Sequence, residues 1–175
     1  CLDHIVATGE FPKVTKVVPG GEQRQDSVRH ALAEVGSETD IVLVHDAVRP
    51  FLTETMIRQV VEAALAHGAA IIALPMRDTV KYVGAGGVIE RTVDRRPLWL
   101  AQTPQAFRRE WLEEGHRKGL LGGVQATDDA HLVEMLGKPV VVVEGSGENI
   151  KVTRPEDLVI GEAILRSRAA ARSAE

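Results

Sequence analysis

Residues 41–50 read Ile-Val-Leu-Val-His-Asp-Ala-Val-Arg-Pro. Four consecutive apolar residues predict a strand buried on both faces, and therefore a sheet covered by helices on both sides. The strand gives way at once to an acid, Asp46, and three residues later to a fixed cation, Arg49. An aspartate at a strand end can hold a metal ion or a hydroxyl, and an arginine can grip a phosphate through two parallel hydrogen bonds. The same pair can equally form an ion pair that shapes the turn. His45 reads as a packed strand-end histidine.

Outward from this stretch, short β-rich runs alternate with amphipathic helices. Downstream, Glu54 to His67 carries apolar pairs at helical spacing, with Gly68 as its stop. Ala70–Leu74 is the next buried strand. Thr79–Val83 and Val88–Val93 flank Gly84-Ala85-Gly86-Gly87 and predict a hairpin that leaves the main sheet. Helices are expected around Arg109–Lys118 and Asp128–Leu136, then a buried strand at Val140–Val143, then a helix from Pro155 to about Ala170. Upstream, Val14–Val18 reads as a strand ending at Pro19-Gly20-Gly21, before a helix capped by Asp26 or Ser27. Strands joined by helices imply an α/β fold with a mostly parallel sheet and ligands at the carboxyl ends of its strands.

The 175 residues fit one domain, 1–175, without internal repeat or linker. A net charge of -4 offers no basic field for nucleic acid, and no apolar run approaches a membrane span. One cysteine, Cys1, allows no intrachain disulfide. With no apolar leader opening the sequence, a cytoplasmic location is expected.

The loops at the strand ends hold most of the unusual polar content. Gly20-Gly21-Glu22-Gln23-Arg24-Gln25-Asp26-Ser27 lets backbone approach a ligand, and also reads as a turn plus a cap. Pro75-Met76-Arg77-Asp78-Thr79-Val80-Lys81 and Thr92-Val93-Asp94-Arg95 suit an anionic partner or a solvated edge. Gln102-Thr103-Pro104-Gln105 is more specific than a bend requires. Thr127-Asp128-Asp129-Ala130 has the chemistry of a helix start, and Lys151 follows a strand end where it could neutralise a phosphoryl group. Transfer of a phosphoryl or nucleotidyl group needs mainly positioning and charge neutralisation, which such a set supplies.

Taken in order, Gly-Gly-x-x-Arg-x-x-Ser-Val (20–28), Val-His-Asp-Ala-x-Arg-Pro (44–50), Pro-x-Arg-Asp-Thr-x-Lys (75–81), Thr-Val-Asp-Arg (92–95), Gln-Thr-Pro-Gln-x-Phe (102–107), Thr-Asp-Asp-Ala (127–130) and Asn-Ile-Lys-Val-Thr-Arg-Pro-Glu-Asp-Leu (149–158) resemble the methylerythritol phosphate cytidylyltransferase family over nearly the whole chain. The resemblance implies a Rossmann-like nucleotidyltransferase sheet with a protruding β-arm, at about 79–92, that joins two subunits. It implies transfer of CMP from CTP to 2-C-methyl-D-erythritol 4-phosphate, giving 4-diphosphocytidyl-2-C-methyl-D-erythritol and pyrophosphate in non-mevalonate isoprenoid synthesis, with Mg²⁺ on the triphosphate. By motif, Gly21, Glu22 and Ser27 would read cytosine and Ala47 would contact the ribose. Asp46 would lie between nucleotide, metal and substrate. Lys151 would stabilise the α-phosphate as it becomes pentacovalent. Arg95, Thr103 and Thr127 would hold the sugar phosphate, with Arg49 and Thr79 completing that pocket from the partner subunit.

The family opens with a strand and a Gly-rich loop that carries an arginine and a lysine. Nothing before Val14 fits that pattern, and Cys1–Glu10 reads as a later strand and its exit. The first strand and Gly-rich loop are thus expected to be missing, and the chain is expected to bind CTP poorly and turn over weakly or not at all. Ribitol 5-phosphate cytidylyltransferases share the Asp-Ala-x-Arg-Pro signature and are the nearest alternative, but Asp-Thr-x-Lys and Thr-Val-Asp-Arg follow the methylerythritol pattern. A non-catalytic nucleotide-binding or dimerising remnant, and a generic phosphosugar nucleotidyltransferase, are the other readings.

Overall fold

The computed structural model describes residues 11–173, so the strand and exit expected at Cys1–Glu10 lie outside the described residues. Helix α1 spans Arg24–Leu32 and strand β1 spans Ile41–Val44. Then come α2 (Glu54–His67), β2 (Ala69–Pro75), the β3–β4 hairpin (Val80–Val83 and Ile89–Val93) and β5 (Trp99–Arg108). Helices α3 (Arg109–Leu121) and α4 (Asp129–Glu134), strand β6 (Val141–Glu144) and helix α5 (Pro155–Ser173) complete the chain.

Helix boundaries follow local chemistry. The Thr53 hydroxyl accepts from Met56 N at 3.3 Å and opens α2. Gly68 closes it with φ 94°, a left-handed turn that suits glycine. A Cβ there would also stand 2.2 Å from the Trp111 ring, so α2 and α3 meet over a position that only glycine fills. Helix α1 starts at Arg24, earlier than a cap at Asp26 or Ser27 would place it. Asp26 instead reaches back to accept from Gln23 N at 3.2 Å, as an acid in the third helical position does in a capping box.

Four strands form the main sheet in the order β1-β5-β2-β6, and β3 and β4 form a separate two-stranded ribbon. β1 and β2 are both antiparallel to β5, and β6 is parallel to β2. Three strands therefore point one way and β5 runs against them, so the sheet is mixed where alternating strands and helices implied a mostly parallel one. β5 itself corrects the sequence reading, which treated Leu100–Phe107 as a loop. Val14–Val18 is a second correction: it forms no strand, and Val14 and Val17 stay exposed. β-rich composition does not hold a strand without a neighbouring ladder.

Alternation along the strands divides the core between two faces. Ala69, Ile71 and Ala73 join Val42, Val44 and Phe107 beneath α1, α3 and α4, packed with Leu32, Leu112 and Val133. Ala70 and Ile72 face the other way with Ile41, Leu43, Ala106, Val141 and Val143, under Met56, Val60 and Ala64 of α2. Helices thus cover both faces, as the doubly apolar strands required. Each large side chain buried here contributes about 1.5–3 kcal/mol. β6 is more one-sided than its four valines implied: as an edge strand it leaves Val142 exposed. Gly161 and Ile164 seat α5 near Phe51, and Arg168 Nη2 donates to Phe51 O at 2.9 Å.

Candidate active site

The loop after β1 and the loop after β6 meet at Asp46. Lys151 Nζ stands 3.3 Å from Asp46 Oδ2, and Arg24 Nε donates to Asp46 Oδ1 at 3.0 Å. The Asp46 backbone N–H donates to Thr103 Oγ1 at 3.0 Å, which fixes the start of the turn. Val152 N donates to Val48 O, and Arg49 Nη1 donates to Asn149 O at 2.7 Å, so the two loops are stitched by backbone as well as by charge.

β5 aims its polar residues into this corner through a bulge. Gln105 pairs with Ile71 and Ala101 with Ala73, so Gln102, Thr103 and Pro104 stand opposite the single residue Ile72. Extra residues in one strand bend it and redirect side chains. Pro104 lacks a donor, and a bulge is where a strand interior tolerates that. Gln102 and Thr103 are buried by the result. Asn149, fully buried, donates from Nδ2 to Thr103 O at 2.9 Å and to Gln102 Oε1 at 3.2 Å. Gly145 allows this closeness, because a Cβ would fall 2.5 Å from Ile72 Cγ2 and 2.6 Å from Gln102 Oε1.

Arg24, Asp46, Arg49, Thr103, Thr127 and Lys151 line one cavity of about 220 Å³. Burial of Asp46 opposes its charge, but the Arg24 hydrogen bond and the Arg24 and Lys151 charges outweigh it and hold the carboxyl below the usual carboxylate range. Burial likewise opposes the Arg24 charge, and the facing Asp129 and Asp46 carboxylates outweigh that and raise its pKa. Burial pulls Arg49 down, with Asp46 offsetting only part. Arg49 Nε is buried without a hydrogen-bond partner among the described residues. Together these groups place three cations, Arg24, Arg49 and Lys151, around a fixed carboxylate, an arrangement suited to an anionic ligand.

Five of the eleven residues picked from sequence converge here. Asp46, Arg49, Thr103, Thr127 and Lys151 share the cavity. Arg49, expected from a partner subunit, lines the cavity of its own chain. Ser27 and Ala47 line an adjoining groove of about 470 Å³ between α1 and β1. Glu22 lines a third cavity, of about 360 Å³, with Gly119 and Val124. Gly21 N donates to Ser27 Oγ at 3.0 Å, so the glycine turn is tied to the helix it precedes. Thr79 and Arg95 lie outside all three, exposed beside the ribbon, where Arg95 Nη1 donates to Arg77 O.

Several site residues carry weaker sequence signals. Arg24 lies inside the Gly-Gly-x-x-Arg motif, yet its two acidic partners are distant in sequence. Gln105 donates to Asp128 Oδ2 at 2.9 Å and accepts from Ala130 N at 3.2 Å, which links β5 to the start of α4. His116 occupies a core position of α3, one turn after Leu112. A polar residue at an apolar helical position was the available signal.

Among the described residues no group of three His, Cys, Asp or Glu side chains could cage a metal ion. Asp46 offers one ionised carboxylate. A magnesium ion held mainly by a substrate's phosphates needs no more from the protein than one or two such groups, so the donor set fits that use. Among the described residues no helix is long and apolar enough to cross a membrane.

The family model for IspD, 2-C-methyl-D-erythritol 4-phosphate cytidylyltransferase, matches residues 3–167. A protein of that name from Pelotomaculum thermopropionicum is 52% identical over 156 residues, covering 89% of this chain and 66% of its own. Its counterpart from Syntrophus aciditrophicus is 49% identical, covering 94% of this chain and 70% of its own. The chain thus spans about two thirds of the length of these relatives. The crystal structure of 2-C-methyl-D-erythritol 4-phosphate cytidylyltransferase from Thermus thermophilus superposes with TM-score 0.78 at 42% identity, over 85% of this chain and 72% of that one.

Proposed function

Because the chain belongs to the 2-C-methyl-D-erythritol 4-phosphate cytidylyltransferase family, a family of nucleotidyltransferase enzymes, we propose that it transfers CMP from CTP to 2-C-methyl-D-erythritol 4-phosphate. A phosphate oxygen of the sugar alcohol attacks the α-phosphorus of CTP. The new P–O bond forms as the bond to the β-phosphate breaks, and pyrophosphate leaves. The observation that carries this reading is the convergence of Asp46, Lys151, Arg49, Thr103 and Thr127 on one cavity.

Lys151 lies where it can neutralise charge that builds on the α-phosphate. Arg49 and the hydroxyls of Thr103 and Thr127 supply donors for the attacking sugar phosphate, joined by Arg95 and Thr79 from the ribbon side. Gly21, Glu22 and Ser27, at the turn into α1, would read the base, and Ala47 would contact the ribose. Asp46 orients Lys151 and offers a carboxylate to Mg²⁺ on the triphosphate. When bound, Mg²⁺ would offset phosphate charge and align the α-phosphorus. The family pattern at 75–81 and 92–95 favours methylerythritol phosphate over ribitol 5-phosphate. A cytoplasmic homodimer joined through the β3–β4 ribbon completes the proposal, supported by the exposed Tyr82, Val83, Val88 and Ile89 along it.

Pyrophosphate release from CTP, measured with each alcohol phosphate separately, tests the reading. Release with methylerythritol phosphate, abolished by Asp46→Asn, is expected. Release with ribitol 5-phosphate alone would reassign the substrate.

A further inference from the structure

Arg24 lines all three cavities described above, and its guanidinium joins two acids from different elements. Nε donates to Asp46 Oδ1 at 3.0 Å while Nη1 donates to Asp129 Oδ2 at 2.8 Å. Asp129 is in turn engaged at Oδ1 by His116 Nε2 at 2.9 Å, and the Asp129 and His116 side chains are 1% and 2% exposed. The buried pair rests where α3 and α4 touch, at Gly115, whose added Cβ would lie 3.1 Å from Leu132 O. Resting on the cytidylyltransferase reading, we propose that Arg24 is a positioning residue for Asp46, anchored by the buried Asp129–His116 pair.

The geometry divides the Asp46 carboxylate into two roles. Oδ1 is held by Arg24, which cannot swing away without leaving Asp129 as a buried, half-satisfied charge. Among the described residues Oδ2 meets only Lys151, whose side chain is 48% exposed and able to exchange for a ligand contact. One oxygen is therefore fixed and the other presented. A planar fork that bonds two carboxylates at once is specific to arginine, and a lysine ammonium cannot reproduce it. Without the anchor, Asp46 can rotate toward Lys151, and a displacement of about 1 Å at a reacting centre costs about 100-fold in rate.

The test combines steady-state kinetics in wild type, Arg24→Lys, Asp129→Asn and the double variant with solvent exchange of the Arg24 Nε–H, followed by ¹⁵N-edited NMR, in wild type and Asp129→Asn. In Asp129→Asn, exchange is expected to accelerate about tenfold or more. kcat is expected to fall about 10–100-fold, with KM for CTP within about threefold. The double variant is expected to be no slower than Arg24→Lys, because both changes break one unit. Unchanged exchange with intact kcat in Asp129→Asn overturns the proposal, and so does a multiplicative loss in the double variant. If Asp129→Asn does not fold, His116→Gln is measured the same way: faster exchange with lowered kcat supports the anchor, and wild-type values for both overturn it. If wild type releases no pyrophosphate, kcat cannot be read and the cytidylyltransferase reading gains no support. The exchange rates then still decide the anchor, accelerated exchange upholding it and unchanged exchange overturning it.

Discussion

Lys151 Nζ lies 3.3 Å from Asp46 Oδ2, a contact that closes the gap between the loop after β1 and the loop after β6. The pair sets the cavity's charge balance. It also ties together two residues 105 positions apart, at the ends of strands separated in the sheet by two others.

Replacing Lys151 by Met removes that cation while keeping much of its stem. kcat is expected to fall about 100- to 1,000-fold, the range seen when one preorganised charge-stabilising group is lost. The side chain is half exposed, so the melting temperature should hold within a few degrees, as about 0–1 kcal/mol is typical for such a pair. A melting temperature collapse equal to the kinetic loss would mean that Lys151 works through folding.

Gly145→Ala should damage both fold and site. Its Cβ would meet Ile72 Cγ2 at 2.5 Å and Gln102 Oε1 at 2.6 Å, contacts that force movement at the fully buried Ile72. Overpacking of this kind costs about 1–3 kcal/mol. Urea unfolding should report that loss, and the displaced Gln102 should lower kcat as well. A variant with wild-type midpoint would show that the loop has room to retreat.

How far the sequence carries can be read from three strands. Ile41–Val44 was legible as a strand because continuous apolar residues satisfy two packed faces, and its side chains do alternate between the two cores, but at the edge of the described sheet it is half-buried rather than fully buried. β5 was not, because Gln102, Thr103, Pro104 and Gln105 break any strand pattern. They are tolerated by the bulge opposite Ile72 and by buried hydrogen bonds to Asn149 and Asp128, which are contacts between distant segments. Val14–Val18 had the composition of a strand but lacks a ladder. At the site, Asp46, Arg49 and Lys151 stood out at strand ends, whereas Asp129 and His116 matter through Arg24, a link that periodicity does not encode.

Acid should weaken the start of α5. Asp157 accepts from Thr153 N and Arg154 N at 2.9 and 2.8 Å, and those donors hold its carboxyl below the usual carboxylate range. A depressed folded value stabilises the folded form above the unfolded pKa of about 3.9, and that contribution is lost as pH falls through the folded value. Hydrogen exchange in α5 should be faster in Asp157→Ala than in wild type near neutrality, and the two should converge in strong acid. A constant difference at every pH would place the effect elsewhere.

The ribbon should carry self-association. Tyr82, Val83, Val88 and Ile89 are exposed together, and apolar side chains grouped at a protruding edge mark an interaction surface. Val88→Glu with Ile89→Lys is expected to shift the protein to monomer in sedimentation, with near-wild-type melting of the main sheet. An unchanged dimer would move the interface off the ribbon.

The most direct test of the central claim is product identity under competition. CTP and Mg²⁺ are supplied with equal methylerythritol 4-phosphate and ribitol 5-phosphate, with protein in excess so that a single slow turnover is seen, and products are read by mass spectrometry. 4-Diphosphocytidyl-2-C-methyl-D-erythritol and pyrophosphate are expected in equal amounts. CDP-ribitol as the main product would contradict the methylerythritol assignment.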